Sequence, residues 1–327
     1  MPFLRKIKYA SFKFNSFLER FMPATTPFSI VLGFLLPSVF SVLRPYVPLL
    51  FGFMTFSGAL KLRAAELGKS FRSPQPILLF FAAAHVLMPV LAMFVSSVFF
   101  ANNDVVTGFV LLFSGPTAVS GFIWIIILKG DMALCLTLIL LDTILAPIVV
   151  PGSISMLMGA KTTMDMTGIA LSLLFMVVIP TIIGVTVNET SKGKIPSAIC
   201  PYFDPFAKIC LMLVIAANAA VVAPGIKLTN PLVWQTALLV IVLTSAGFLL
   251  IKLITVMGKC RAPKDITLII SGGLRNNSAV MTIAVAFFPE AAVLPTLMSI
   301  IVQQTIAAIM GKIFAQKQTA DAETDAL

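Results

Sequence analysis

Charge is what this sequence has least of. Only 11% of its 327 residues are Asp, Glu, Lys or Arg, against about a quarter in soluble globular domains. That shortage excludes an ordinary water-soluble fold. Acidic residues are the scarcer sign, 13 against 23 basic ones, for a net charge of +10. Histidine occurs once, at His85, and the four cysteines (Cys135, Cys200, Cys210, Cys260) form no CxxC pair. A zinc site or a disulfide framework is therefore not expected, and the thiols read as free packing groups. Clustered carboxylates that could hold a catalytic metal are wanting too, as is a nucleophile with its base, so neither an enzyme, a metal centre nor a cofactor is expected. No Gly/Ser-rich or charged linker divides the chain, which reads as one unit.

What fills it instead is apolar. Hydrophobic residues make up 59%, in runs long enough, at 1.5 Å per helical residue, to cross a hydrocarbon core of about 30 Å. Reading between charges gives ten runs: 25–43, 46–62, 74–100, 105–128, 132–158, 166–187, 203–223, 231–257, 266–288 and 292–314. The expectation is an all-α membrane protein with ten transmembrane helices. Many of the 21 prolines and 19 glycines fall inside these runs, as transmembrane helices allow where neighbours satisfy the freed backbone groups.

Residues 1–24 carry Arg5, Lys6, Lys8, Lys13 and Arg20 without a continuous apolar stretch, which is not a signal-peptide pattern. Phe3, Ile7, Phe14, Phe17, Leu18 and Phe21 recur largely on one helical face. That pattern fits an amphipathic segment on an anionic lipid surface, with a frayed basic tail as the alternative. The ten-span reading puts this cluster on one side with Lys61, Arg63, Lys69, Arg72, Lys129, Lys192, Lys194, Lys259, Arg261, Lys264, Lys312 and Lys317. Only Arg44, Lys161 and Lys227 fall on the other. The asymmetry predicts a cell (inner) membrane protein with both termini cytoplasmic. Positive charge then sets orientation. No nucleic-acid partner is expected, since no basic groove interleaved with aromatics appears.

The halves echo one another. Pro23 and Pro180, Pro48 and Pro205, and Pro74 and Pro231 are each 157 residues apart, as are Ser114-Gly115 and Ser271-Gly272. This predicts two five-helix repeats, 25–158 and 166–314, followed by a polar tail, 315–327. An odd number of helices inverts the second repeat in the bilayer.

The same offset pairs two polar, helix-breaking stretches at mid-span. The fourth span contains Ser114-Gly115-Pro116-Thr117-Ala118-Val119-Ser120-Gly121, and the ninth Ser271-Gly272-Gly273-Leu274-Arg275-Asn276-Asn277-Ser278. Paired interruptions in corresponding segments point to a transport site, with packing kinks as the bland alternative. Thr117, Ser120, Arg275, Asn276 and Asn277 are the candidate substrate contacts, since half-helix N-termini and amides favour anions. Gln303-Gln304 in the tenth span could hydrogen-bond across the bundle, and Gln303 is a further candidate contact. Arg275 lies about ten residues into its span, where a charge costs at least about 2.5 kcal/mol. It needs an anionic partner or substrate. Asp142, the natural counter-charge, and His85 are the other deep ionisable residues; each has a structural reading and an ion-pair or proton-coupling one.

Further landmarks are Met54-Thr55-Phe56-Ser57-Gly58-Ala59-Leu60-Lys61-Leu62, Met88-Pro89, Lys129-Gly130-Asp131-Met132-Ala133-Leu134, Ile179-Pro180, Phe288-Pro289 and Leu294-Pro295. In their order and spacing the chain resembles the bile acid:sodium symporter family over nearly its whole length. The resemblance implies ten helices in two inverted repeats, a panel domain and a core domain, with broken helices 4 and 9 crossing in the core. It also implies transport of an organic anion by alternating access.

At the family's sodium positions the sequence departs. The ninth-span Glu-x-Gly-x-Gln-Asn is Ser271-Gly272-Gly273-Leu274-Arg275-Asn276 here. A third-span Gln falls on Ala84, a fourth-span Ser-Asn pair on Val119-Ser120, and two fifth-span hydroxyls on Cys135 and Ile139. Sodium wants hard oxygen ligands, and these replacements remove most of them. Sodium coupling is thus left in doubt, and Arg275 reads as a built-in cation. The expected function is secondary transport of a small organic anion; a channel or sensor on the same fold is the alternative.

Overall fold

The computed structural model describes residues 2–63, 74–159, 164–227 and 229–324, with side chains left undescribed at 2–10, 19–24 and 315–324. Lys69, Arg72 and Lys161, placed above by charge asymmetry, lie outside the described residues. So do the side chains of the N-terminal basic residues other than Lys13, and that of Lys317. Among the described residues the secondary structure is helical apart from one isolated bridge.

In chain order the helices are α1 (Pro2–Leu35), α2 (Pro37–Ala59), α3 (Gln75–Phe99), α4 (Asn103–Ser114), α5 (Gly121–Ile127) and α6 (Met132–Met158). Then follow α7 (Met166–Thr190), α8 (Lys194–Val222), α9 (Pro231–Met257), α10 (Lys264–Gly273), α11 (Asn277–Phe287) and α12 (Glu290–Thr324). Seven of them, α2, α3, α6, α7, α8, α9 and α12, are long and apolar enough to cross a membrane. Thr25–Leu35 of α1, α4 and α11 are shorter apolar helices. This is a multi-pass membrane protein.

Local chemistry explains the boundaries. Asp131, Asp165 and Asn230 cap α6, α7 and α9, each side-chain oxygen accepting a first-turn N–H at 2.7–3.0 Å, which satisfies a donor that the helix leaves orphaned. Pro231 at the first position of α9 loses no bond there. The fifth and eighth expected spans coincide with α6 and α9. The first expected span does not coincide: α1 ends at Leu35, eight residues before the expected end at 43, because Pro37 supplies no N–H to continue it. Arg44 consequently sits within a 3₁₀ stretch, Ser41–Tyr46, at the start of α2. α1 is unbroken from residue 2, so residues 2–24 of the N-terminal segment continue into the first apolar helix. Residues 315–324 of the tail prolong α12.

A shift of 157 residues carries the starts of α2, α3 and α6 onto those of α8, α9 and α12 to within one residue. Corresponding helices therefore begin in register. Close approach of helices relies on small residues. A Cβ on Gly108 would overlap the Ala292 carbonyl of α12, and one on Gly33 the Ala216 carbonyl of α8.

The buried apolar side chains form two clusters, and the division between them positions the site. Along α6, Leu134–Leu140 belong to one and Ala146–Met158 to the other; Asp142 falls between. Along α12 the change comes between Ile300 and Ile306, around Gln303. Along α3 it comes between Ala84 and Met88, at His85. A thin polar layer thus separates two dry ones.

Candidate functional site

In that layer both interrupted spans open. Pro116 has no N–H, and Gly115 before it is extended (φ −59°, ψ 153°), so α4 stops at Ser114. Leu274 is extended as well (φ −99°, ψ 117°), and α10 stops at Gly273. The two open strands pair antiparallel. The Ala118 N–H donates to Leu274 O at 3.0 Å, the Asn276 N–H donates to Pro116 O at 2.8 Å, and Thr117 faces Arg275. Each break supplies the backbone partners that the other lost, which is what burial of non-helical backbone requires.

Thr117 is 1% exposed. Its hydroxyl meets the Ser271 and Leu274 carbonyls, and its N–H donates to Asp142 Oδ2 at 2.7 Å. Arg275, 2% exposed, sends Nη1 to Gly115 O at 3.2 Å and Nη2 to Ala84 O at 2.9 Å. Both carbonyls are free for the same kind of reason. Gly115 closes the end of α4. Ala84 lies in a π-helical stretch, Ala82–Leu87, where the Met88 N–H reaches back to Ala83 O; the next candidate donor would be Pro89, which has none. Gln303 holds the Arg275 backbone at both ends, accepting from its N–H at 3.0 Å and donating to its carbonyl at 2.8 Å.

Asp142 acts on Arg275 as the expected counter-charge through space, with no direct ion pair between them. Its Oδ1 lies 2.8 Å from His85 Nε2, although neither atom meets hydrogen-bond alignment. The reason is geometric: Thr117 and His85 occupy the carboxylate, while free carbonyls saturate the guanidinium. Asn276 caps α11, accepting from the Ala279 N–H at 3.3 Å, and is half-buried. Asn277 turns into the protein and donates to Ser299 Oγ at 2.8 Å. Ser120 is exposed, and its hydroxyl accepts from Gln304 Nε2 at 3.4 Å; Gln304 Oε1 in turn accepts from the Trp124 indole at 3.1 Å. Gln304, not Gln303, is thus the glutamine that presents its amide outward. Only the tertiary hydrogen bond from Trp124 on α5 to Gln304 on α12 reveals Trp124.

The described residues fit a sodium ion poorly. The carbonyls at Ala84 and Gly115 already bind a guanidinium, and Cys135 Sγ lies 3.8 Å from Ser271 Oγ where hard oxygen would be needed.

Residues 48–227 match the description Sodium Bile acid symporter family. The uncharacterized protein YbaS of Bacillus subtilis is 35% identical over 291 residues, 89% of this chain and 95% of that one. The chain belongs to the sodium bile acid symporter family. It is a membrane transporter of that family. YocS of Bacillus subtilis, called an uncharacterized sodium-dependent transporter, is 24% identical over 81% of this chain and 82% of its own length. A probable chloroplastic sodium/metabolite cotransporter of rice, BASS3, is 27% identical over 54% of this chain and 41% of its own. The family match ends before α10, so the Arg275 side of the crossing lies outside it.

Proposed function

We propose that this protein is a secondary transporter of small organic anions that works by alternating access and does not require sodium. The reading takes ten crossings, both termini cytoplasmic, and two inverted five-helix repeats arranged as a panel and a core. It is supported by the matching helix starts and by the antiparallel contact of the two breaks. Ser120 and half-buried Asn276 face the substrate; Thr117, Asn277 and Gln303 hold the two open strands in place.

The observation that carries the proposal is Arg275, a permanent cation bonded to two freed carbonyls at that contact. YocS is called a sodium-dependent transporter and BASS3 a probable sodium/metabolite cotransporter; in this chain the guanidinium supplies a fixed positive charge instead. A second cation 4 Å away would be opposed by about 4 kcal/mol at an effective dielectric of 20. An anion beside α11 gains from the same charge and from the helix N-terminus. The test is uptake of radiolabelled organic acids into proteoliposomes with sodium replaced by choline at constant pH. The rate should hold to within about twofold, which corresponds to about 0.4 kcal/mol. A collapse in choline refutes the sodium-free reading.

A further inference from the structure

We propose that His85 and Asp142 bind one proton that crosses with the anion, so that the protein is a proton–anion symporter. This rests on the anion-transport reading above.

His85 is the single histidine of the chain. Its side chain is buried, Nε2 stands 2.8 Å from Asp142 Oδ1, and Nδ1 has no partner among the described residues. The Phe81 ring stacks on the imidazole at 5.5 Å and Phe80 meets it edge-on at 6.0 Å. A pair kept only for stability is ordinarily saturated with hydrogen bonds. This one is held at contact distance with one ring nitrogen unused and the other unaligned. Such an arrangement leaves room for a proton to be gained and lost.

The surrounding charges define what that proton does. The π-helical stretch around His85 packs against α4, α6, α9 and α10. Their ionisable groups are Asp104 on α4, Asp142 and the Cys135 thiol on α6, Lys252 on α9, and Lys264 and Asp265 on α10. Asp104 lies in the first turn of α4, far along the helix from the break, and Lys252 pairs with Asp265 at 3.3 Å. Arg275, bonded to the carbonyl of the residue preceding His85, completes the set. With a neutral imidazole, Arg275 and Asp142 cancel. With a protonated imidazole the cluster carries one positive charge, which a single carboxylate neutralises. Anion and proton therefore each favour the binding of the other, and by the same factor.

The route to the anion site is short. Asp142 Oδ2 accepts the Thr117 N–H, and Thr117 opposes Arg275 across the two breaks. The proton passes from water on the entry side to the imidazole, crosses with the carboxylate, and leaves to water on the exit side. One proton and one monocarboxylate move, no net charge moves, and no bond of the substrate is broken.

The full-length protein is reconstituted in phosphatidylethanolamine–phosphatidylglycerol vesicles in choline medium, with protein-free vesicles as the control. The probes are radiolabelled pyruvate, 2-oxoisovalerate, lactate and glycerate. Exchange at equal pH and accumulation under an inside-alkaline gradient are measured side by side. The same protein, labelled with ¹⁵N-histidine, reports its one imidazole by NMR. The expected result is at least tenfold accumulation above the equal-pH level, insensitive to membrane potential, and imidazole resonances that change when a proton is taken up with the anion. In His85→Gln the ratio of gradient-driven to equal-pH uptake should fall to about one. Exchange that the gradient does not accelerate overturns the coupling and leaves the anion reading standing. Absence of exchange for every acid overturns the anion reading. An imidazole whose resonances do not change when anion and proton are supplied together overturns the proton site in either case, and needs no variant to fold.

Discussion

Gln303 does for Arg275 what a helix would have done: its amide oxygen takes the Arg275 N–H at 3.0 Å and its amide nitrogen gives to the Arg275 carbonyl at 2.8 Å. A side chain 28 residues away thus completes the open strand. Replacement by Leu leaves a buried donor and acceptor unmatched, at about 1–3 kcal/mol each. Gln303→Leu is expected to lose at least about 2 kcal/mol of stability, read as a drop in the thermal midpoint. A midpoint equal to wild type contradicts the bidentate role.

Arg275→Gln should lower uptake at least tenfold, about 1.4 kcal/mol, since it removes the fixed charge. Arg275→Lys should not rescue it. Gly115 O and Ala84 O are reached by two different guanidinium nitrogens, and one ammonium on a flexible stem does not reproduce that fork. Initial rates of both variants, corrected for folded protein, check this; a Lys variant at wild-type rate removes the geometric argument.

The adjacent asparagines should separate. Asn276 is half-buried with its oxygen on the α11 N-terminus, whereas Asn277 is buried on Ser299. Asn276→Ala is expected to raise KM about three- to tenfold, with about 1 kcal/mol of stability lost with the cap. Asn277→Ala should cost stability and leave KM near wild type. Saturation curves alongside melting curves distinguish the two patterns, and a reversed pattern moves the substrate to the Asn277 side.

Topology is checked by single cysteines in a background without Cys135, Cys200, Cys210 and Cys260. Position 194, at the start of α8, and position 227, beyond its end, are separated by a 29-residue helix, about 43 Å at 1.5 Å per residue. Impermeant reagents should label Lys194→Cys from the cytoplasmic side only and Lys227→Cys from the opposite side only. Labelling of both from one side breaks the ten-crossing reading.

Much of this was legible beforehand. The ends of α6 and α9 follow from an acidic or amide cap at one end and from apolar length. Pro116 and the Ser271-Gly272-Gly273 run announced both breaks, because proline and glycine act on backbone geometry within a residue or two. Met88-Pro89 also carried a signal, since a proline after a π turn frees the Ala84 carbonyl. What it did not carry was the partner. Opposite charge matches Arg275 to Asp142, which acts on it through space, yet its side-chain hydrogen bonds go to carbonyls 160 and 191 residues away. Likewise Gln303 and Gln304 are adjacent and chemically identical; the rotation of α12 alone buries one and exposes the other.

The sequence by itself determined an all-helical membrane protein, the spans of α6 and α9, the 157-residue spacing of helix starts and the place where two helices break. These depend on apolar length, capping chemistry and missing N–H groups, all local to the chain. Only the tertiary structure decided who satisfies whom in the polar layer: Arg275 on carbonyls, Asp142 on Thr117 and His85, and Gln303 on a backbone. Several donors and acceptors there could pair in more than one way; long-range packing of α3, α6, α10 and α12 selects among the pairings and leaves His85 and Asp142 Oδ1 at contact distance without an aligned hydrogen bond.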